Sequence, residues 1–340
     1  MKNFRAQPLV LALALPAAPA VAAPLYHLAA SVPLGGGVKW DYLKIDAPRH
    51  WLYISHGTEE TVVNLHGLEI VGTLSGLPGS HGVAVDPVTG DIWADSAKKT
   101  QAIAFNPANF TPLASVPVVE DADGMDYDPA SKTIFVSGGD GNALTPINPA
   151  TRTAYADIPL DGSPESFLAD GKGSLYVNII DKNELVRIDT ATRQIVARWP
   201  TTGCDEPTGL AIDKAKRLIF SSCRGGSFDV FNADTGAVLA NFPIGKGTDS
   251  AGYDPVRHRA FSSNGDGTLD VIDDSAAPKL LGVVQTEPGA RTMAVDPVSG
   301  DVFTVTGTVI SVTPASGPDG HPHYTFAPGS LKLLVYAPGA

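Results

Sequence analysis

The sequence is poor in charge. Only 18% of its 340 residues are charged, and Lys and Arg nowhere cluster into a basic run. With a formal net charge of −12, such a chain repels phosphate backbones, which argues against a nucleic-acid partner. Long apolar runs are missing too. The stretch from Leu9 to Leu15 is far shorter than the roughly 20 residues that span a bilayer, so no membrane span is expected. There is no G-x-S-x-G, no HExxH, no Walker motif and no CxxCH haem site. Ser55, Ser222 and Ser263 follow apolar stretches but have no identifiable base partner in the sequence. An enzymatic role is therefore not the leading expectation. Disorder is excluded by the 43% hydrophobic content.

Cysteine is limited to two residues, Cys204 and Cys223. They flank two short apolar segments joined by a turn near residues 213–215, and antiparallel pairing about that turn brings them within a residue or two of register. A disulfide is expected, with two buried thiols or a metal pair as the alternatives. The N-terminus favours the disulfide. Lys2 and Arg5 form a basic start, Leu9–Leu15 an apolar centre, and Ala20-Val21-Ala22 an A-x-A cleavage site. Residues 1–22 read as a cleaved signal, so a periplasmic or secreted location is expected, where disulfides persist.

What the chain has in abundance is turn residues, 35 Gly and 28 Pro, arranged in a repeat. The phrase apolar strand, Asp-containing turn, apolar strand recurs with its aspartate at Asp46, Asp86, Asp128, Asp170, Asp213, Asp254 and Asp296, 40 to 43 residues apart. Four short strands fit in each period, which predicts an all-β, seven-bladed β-propeller over residues 24–338. The first strand of each repeat is small and Gly-containing, as in Gly209-Leu-Ala-Ile, and should line the central channel. The seventh repeat lacks its fourth strand, and Leu25–Leu34 matches the missing pattern. The N-terminal strand should therefore close the ring by pairing with the last blade, removing an open pair of edges. Residues 307–330 form a Gly-, Pro- and Ser-rich insertion in blade seven.

With its strand-three pattern of apolar-x-Val-x-Asn/Asp and its Asp-Pro-x-x-Gly/Lys turns, the chain resembles the YVTN-type, YncE-like propellers of bacterial envelopes. The resemblance implies the fold firmly and the function weakly, because propellers host unrelated activities.

The loops entering strand one and those joining strands two and three should emerge on one face, around the channel mouth. The position five residues before each repeat aspartate holds Asp41, His81, Asp123, Glu165, Thr208, Asp249 and Arg291, with Glu206 just upstream in repeat five. Arg224 lies beside Cys223 and is a candidate partner for Glu206 or for an anionic part of a ligand. Two readings stand: short acids that cap turns, or a functional mouth for a small molecule, a cation or an envelope protein. Asp123, Asp249, His321 and His323 are the candidate ligands of a divalent cation. The leading expectation is a ligand- or partner-binding scaffold. The alternative is a metal-dependent hydrolase, by analogy with propeller lactonases, with Glu165 or Asp249 as base.

Overall fold

The computed structural model describes residues 1, 24–315, 320 and 322–339. The segment read as a signal, apart from Met1, and the candidate ligand His321 lie outside the described residues.

The strands are short because every repeat is punctuated by Asp, Asn, Gly and Pro, and they assemble into seven antiparallel blades. Blade five illustrates the plan. Its strands run Pro207–Asp213, Leu218–Cys223, Ser227–Asn232 and Val238–Pro243, side by side in chain order. In blade three the fourth strand is broken into Thr153–Ala154 and Ile158–Pro159, both paired with Ala143–Asn148. Blade seven contains Met293–Val295, Val302–Thr306 and Lys332–Pro338, and its outer strand is the N-terminal Tyr26–Pro33, paired antiparallel with Lys332–Pro338. Inner strands of successive blades pack against one another around the channel, that of blade seven against Trp40–Asp46 of blade one.

The repeat aspartates owe their recurrence to turn chemistry. Asp86 accepts from the backbone N–H of Val88 at 3.0 Å, Asp213 from Ala215 at 2.9 Å, Asp254 from Val256 at 2.8 Å and Asp296 from Val298 at 2.9 Å. Each carboxylate replaces the hydrogen bonds that the turn cannot make for itself.

Among the described residues, the buried apolar side chains form seven clusters, one at each blade–blade seam. Trp93, Met125 and Ile134 join blades two and three, and Trp40, Leu52, Phe303 and Leu333 join blades seven and one. A middle strand is therefore covered on both faces and is buried throughout, as in Leu218–Cys223, whereas the outer strand Gln194–Pro200 alternates exposed and half-buried residues. Near the axis the blades approach so closely that a Cβ on Gly209 would lie 2.4 Å from the Ala251 nitrogen and from the Ser250 carbonyl carbon. Cys204 and Cys223 are joined by a disulfide, with Cα atoms 5.4 Å apart.

Two variants test this packing. Gly209→Ala is expected to cost about 1–3 kcal/mol in denaturant unfolding, because backbone must shift. Gly37→Ala, at a position with open space around it, should stay within about 0.5 kcal/mol of the parent. Equal effects would show that the seam does not limit packing at Gly209. Replacing both cysteines by serine removes a cross-link of sequence separation 19 and should lower stability by about 3 kcal/mol, an effect that reductant should reproduce on the parent protein.

Candidate functional site

The residues of the mouth are placed by irregularities in the inner strands. In blades one, three, four, five and six the pairing of inner and second strands slips at its mouth end, between Trp40/Leu43, Ala122/Met125, Pro164/Phe167, Pro207/Gly209 and Thr248/Ser250. Asp41, Asp123, Glu165, Thr208 and Asp249 lie within these slips, where a bulge frees a side chain from the two-residue alternation and re-aims it. In blades two and seven the inner strands begin later, at Val83 and Met293, and His81 and Arg291 come from the segments just before them. Neighbouring blades then bond through this ring: Tyr42 N–H donates to the His81 carbonyl at 3.2 Å, and Asp249 N–H to the Arg291 carbonyl at 3.2 Å.

The side chains form two groups. In the first, His81 Nδ1 lies 2.7 Å from Asp41 and 2.9 Å from Asp123. Burial disfavours the imidazolium, but the hydrogen bonds to Asp123 and Asp41, together with their charges, outweigh it and push His81 up to about 11. Asp123 is itself raised to about 6, by burial first. In the second group, Arg224 Nη2 donates to Asp249 at 2.9 Å and lies 3.8 Å from Glu165, while Arg291 Nε donates to the other oxygen of Asp249. Glu206 lines the same cavity and acts on Arg224 by charge, but the hydrogen bond expected of it goes to Asp249 instead.

Between the groups, Tyr42 reaches across from blade one to blade four, its Oη 3.5 Å from Glu165 and 3.4 Å from Ser166 Oγ. Burial pushes both Tyr42 and Glu165 well above their ordinary values, and nearby Asp123 adds to it in each case. These residues line a cavity of about 200 Å³ in the channel, which also holds the Lys44–Asp126 ion pair at 2.7 Å. A second cavity, of about 360 Å³, is lined by Glu206, Arg224, Asp249 and Arg291 on one side and by His323, Tyr324 and Phe326 on the other. The described parts of the blade-seven insertion thus lie beside the mouth. Val309–Thr313 pairs with His323–Phe326, and Phe326 packs edge-on against Trp40 with centroids 4.8 Å apart.

Of the expected cation ligands, Asp249 and His323 line one cavity and Asp123 belongs to the other group, while His321 lies outside the described residues. Both oxygens of Asp249 face arginines, Asp123 faces His81, and His323 lines the arginine cavity. Among the described residues at the mouth, the group with metal-ligand spacing is Asp41, His81 and Asp123. Thr208 is buried and donates to the Thr248 carbonyl at 2.8 Å, holding blade five to blade six.

Two further carboxyls come from the strand two to three connections, which the sequence had placed on this face. Asp95 accepts from the backbone N–H of His81 at 2.7 Å and of Gly82 at 2.9 Å, and burial pushes it well up. Glu60 is fully buried and bonded by Ser55 at 2.8 Å and Ser80 at 2.5 Å.

Fold and mouth together define a seven-bladed β-propeller with a polar, floored opening on one face. Similar solved structures include Kuenenia stuttgartiensis hydrazine synthase, at 12% identity and a TM-score of 0.68 over 88% of this chain and 97% of that one. They also include the WD40 repeats of RRP9, at 8% identity and a TM-score of 0.76 over 94% and 100%, and U3-55K, at 7% and 0.74 over 89% and 97%. At such identities the likeness concerns the fold alone. No protein-family profile and no curated protein matches the chain.

Glu60 supplies a pH test. Burial raises it from 4.5 to about 7. Between those values the folded state holds a proton that the unfolded state has lost, so stability is fully present below pH 4.5 and falls as pH rises to about 7. The loss attributable to this group is at most about 3 kcal/mol. Glu60→Gln should flatten the decline in unfolding free energy between pH 5 and pH 7.5 relative to the parent. Parallel curves would show that Glu60 is not the titrating group.

Proposed function

We propose that this chain is an exported, envelope-type propeller that binds a small polyhydroxy molecule, such as a short carbohydrate, at its mouth. One observation carries the reading: the 360 Å³ cavity sets the Arg224–Asp249–Arg291 cluster opposite Tyr324 and Phe326. Planar guanidinium and carboxylate groups offer paired donors and acceptors to adjacent hydroxyls, while aromatic faces take the apolar side of a sugar ring. The volume lies in the range of small-molecule sites. Charge supports a neutral ligand. Asp41, Asp123, Glu206 and Asp249 stand against His81, Arg224 and Arg291, and Glu165 favours its protonated form. The mouth is therefore close to balanced, a weak attractor for a free cation. The resemblance to YVTN-type propellers, the N-terminal signal pattern and the disulfide support export.

A second reading, a hydrolase built on a channel cation, is favoured by the spacing of Asp41, His81 and Asp123, which would hold the ion while Glu165 lay nearby.

Calorimetric titration against a panel of mono- and oligosaccharides tests the first reading. At least one should bind, and Tyr324→Ala should weaken it by about tenfold or more with the melting temperature unchanged. If no member binds, or Tyr324→Ala and Arg291→Lys both leave binding intact, the reading fails.

A further inference from the structure

The opposite face of the ring, where strand-one turns and strand-three turns emerge, holds a second cluster that the mouth does not involve. Its first sign is a break in the repeat. Each repeat aspartate spends one or both oxygens on its turn, and in six of the seven blades a side chain also takes the Oδ2. Arg49 bonds Asp46 at 2.6 Å, Thr89 bonds Asp86 at 2.7 Å, and Ser131 bonds Asp128 at 2.8 Å. Arg217 bonds Asp170 at 2.8 Å, Arg257 bonds Asp254 at 3.1 Å, and Ser299 bonds Asp296 at 3.0 Å. Blade five differs. Asp213 is 3% exposed, and its Oδ2 is buried with no hydrogen-bond partner. A buried, unpaired carboxylate oxygen is costly.

The reason lies in the residue three positions on. Lys216 does not fold back on Asp213. It crosses the seam into blade six and donates to Asp274, at 2.6 Å to Oδ1 and 3.1 Å to the carbonyl. The other oxygen of Asp274, Oδ2, accepts from Tyr253 Oη at 2.5 Å and lies 3.1 Å from His258 Nδ1. Tyr253 Oη is also 3.4 Å from that nitrogen. A phenol has one proton to give, and both Asp274 and Asp213 lie near it, so Tyr253 cannot satisfy the two carboxylates at once; by distance its bond goes to Asp274, and Asp213 Oδ2 faces the cluster without a bond of its own. One oxygen of Asp213, one of Asp274 and a ring nitrogen of His258 all lie within 4.8 Å of one another. Two carboxylates against one ammonium leave a net charge of −1 for a cation to neutralise. Asp274 is 3% exposed, whereas the His258 side chain is 58% exposed and leaves the cluster open to solvent on its side.

We propose that Asp213, Asp274 and His258 form a divalent transition-metal site, Zn²⁺ in the first instance, straddling the seam of blades five and six. An imidazole among two carboxylates suits zinc better than calcium or magnesium, which take oxygen-only shells of six or more donors. Tyr253 stands beside the ion position as a further oxygen donor, and Lys216 stays on the distal oxygen of Asp274, orienting that ligand. The ion clamps two blades on the face away from the mouth, and this proposal is independent of what the mouth binds.

The test uses full-length processed protein, purified without nickel and stripped with EDTA, then titrated with Zn²⁺, and with Co²⁺ as a spectroscopic probe. The expected result is one equivalent bound, a raised melting temperature, visible Co²⁺ absorption, and weaker binding to Ca²⁺. His258→Ala, at an exposed position, should weaken Zn²⁺ binding by more than about tenfold, and His81→Ala should leave it unchanged. If His258→Ala folds poorly, His258→Gln with the parent's Co²⁺ spectrum decides the point. The proposal is overturned by absence of Zn²⁺ binding, or by binding that survives at His258. It is equally overturned by binding lost in His81→Ala alone, which would place the ion at the mouth and support the hydrolase reading instead.

Discussion

The pairing of Tyr26–Pro33 with Lys332–Pro338 is the contact on which the rest of the ring depends. Each blade buries its faces only against its neighbours, so the ring is a chain of seven seams and gains from each only if both partners are in place. Without the N-terminal strand, the last sheet would present the open edge of Lys332–Pro338, and the seam of Trp40, Leu52, Phe303 and Leu333 would lose the half-buried Ala30 and Val32 packed against it. That seam also bears on the mouth. Trp40 is where Phe326 of the inserted hairpin packs, its carbonyl lies 3.4 Å from Arg291 Nη2, and its ring sits 5.7 Å from the Arg291 guanidinium. Closure of the ring thus fixes one wall of the larger cavity.

A column of acids along a sequence does not make an acidic site. Five carboxylates were expected to face a common opening, and by residue type they suggested a cation or a polyhydroxy ligand. The fold alternates them with His81, Arg224 and Arg291, and low solvent access makes each pairing stronger than it would be on an open surface. The result is a self-neutralised ring in which Glu165 is driven toward its acid form by burial and by Asp123 and Asp249. Such a ring is preorganised. Its donors and acceptors are held by one another before any ligand arrives, which suits recognition of hydroxyl groups more than capture of a free ion.

The architecture was legible because a propeller repeats its own turn chemistry. The seven aspartates, the small inner strands, the N-terminal strand that completes blade seven and the Cys204–Cys223 bridge all follow from local rules applied at a fixed period. The mouth residues were also legible as a set, since one position per period lands on one face. Their pairing was not. Whether Arg224 meets Glu206 or Asp249 depends on the bulges that re-aim the inner strands, and a register slip of one residue leaves no mark in composition. Tyr42 reads as an ordinary strand residue until the ring is closed and it is found to cross the channel to Glu165. The insertion was read for its Gly, Pro and Ser and for His321 and His323 as ligands, yet its segments Val309–Thr313 and His323–Phe326 pair because they are rich in β-branched and aromatic residues.

Repetition also supplies a way to separate structure from chemistry. Where seven copies of a turn satisfy the same need in the same way, the residues involved are explained by the fold, and an aspartate there calls for nothing more. The informative positions are the departures. Glu165 stands where three other blades place the shorter Asp41, Asp123 and Asp249, and it is the residue that meets Tyr42 across the channel. Lys216 stands where Arg49, Thr89, Ser131, Arg257 and Ser299 bond their own repeat aspartate, and it leaves Asp213 for the neighbouring blade. A buried carboxylate oxygen deprived of the partner that its six counterparts have is a local cost that the repeat shows to be avoidable. Since six other blades avoid that cost, turn chemistry alone does not account for the arrangement around Asp213, and the departure is what singles this seam out.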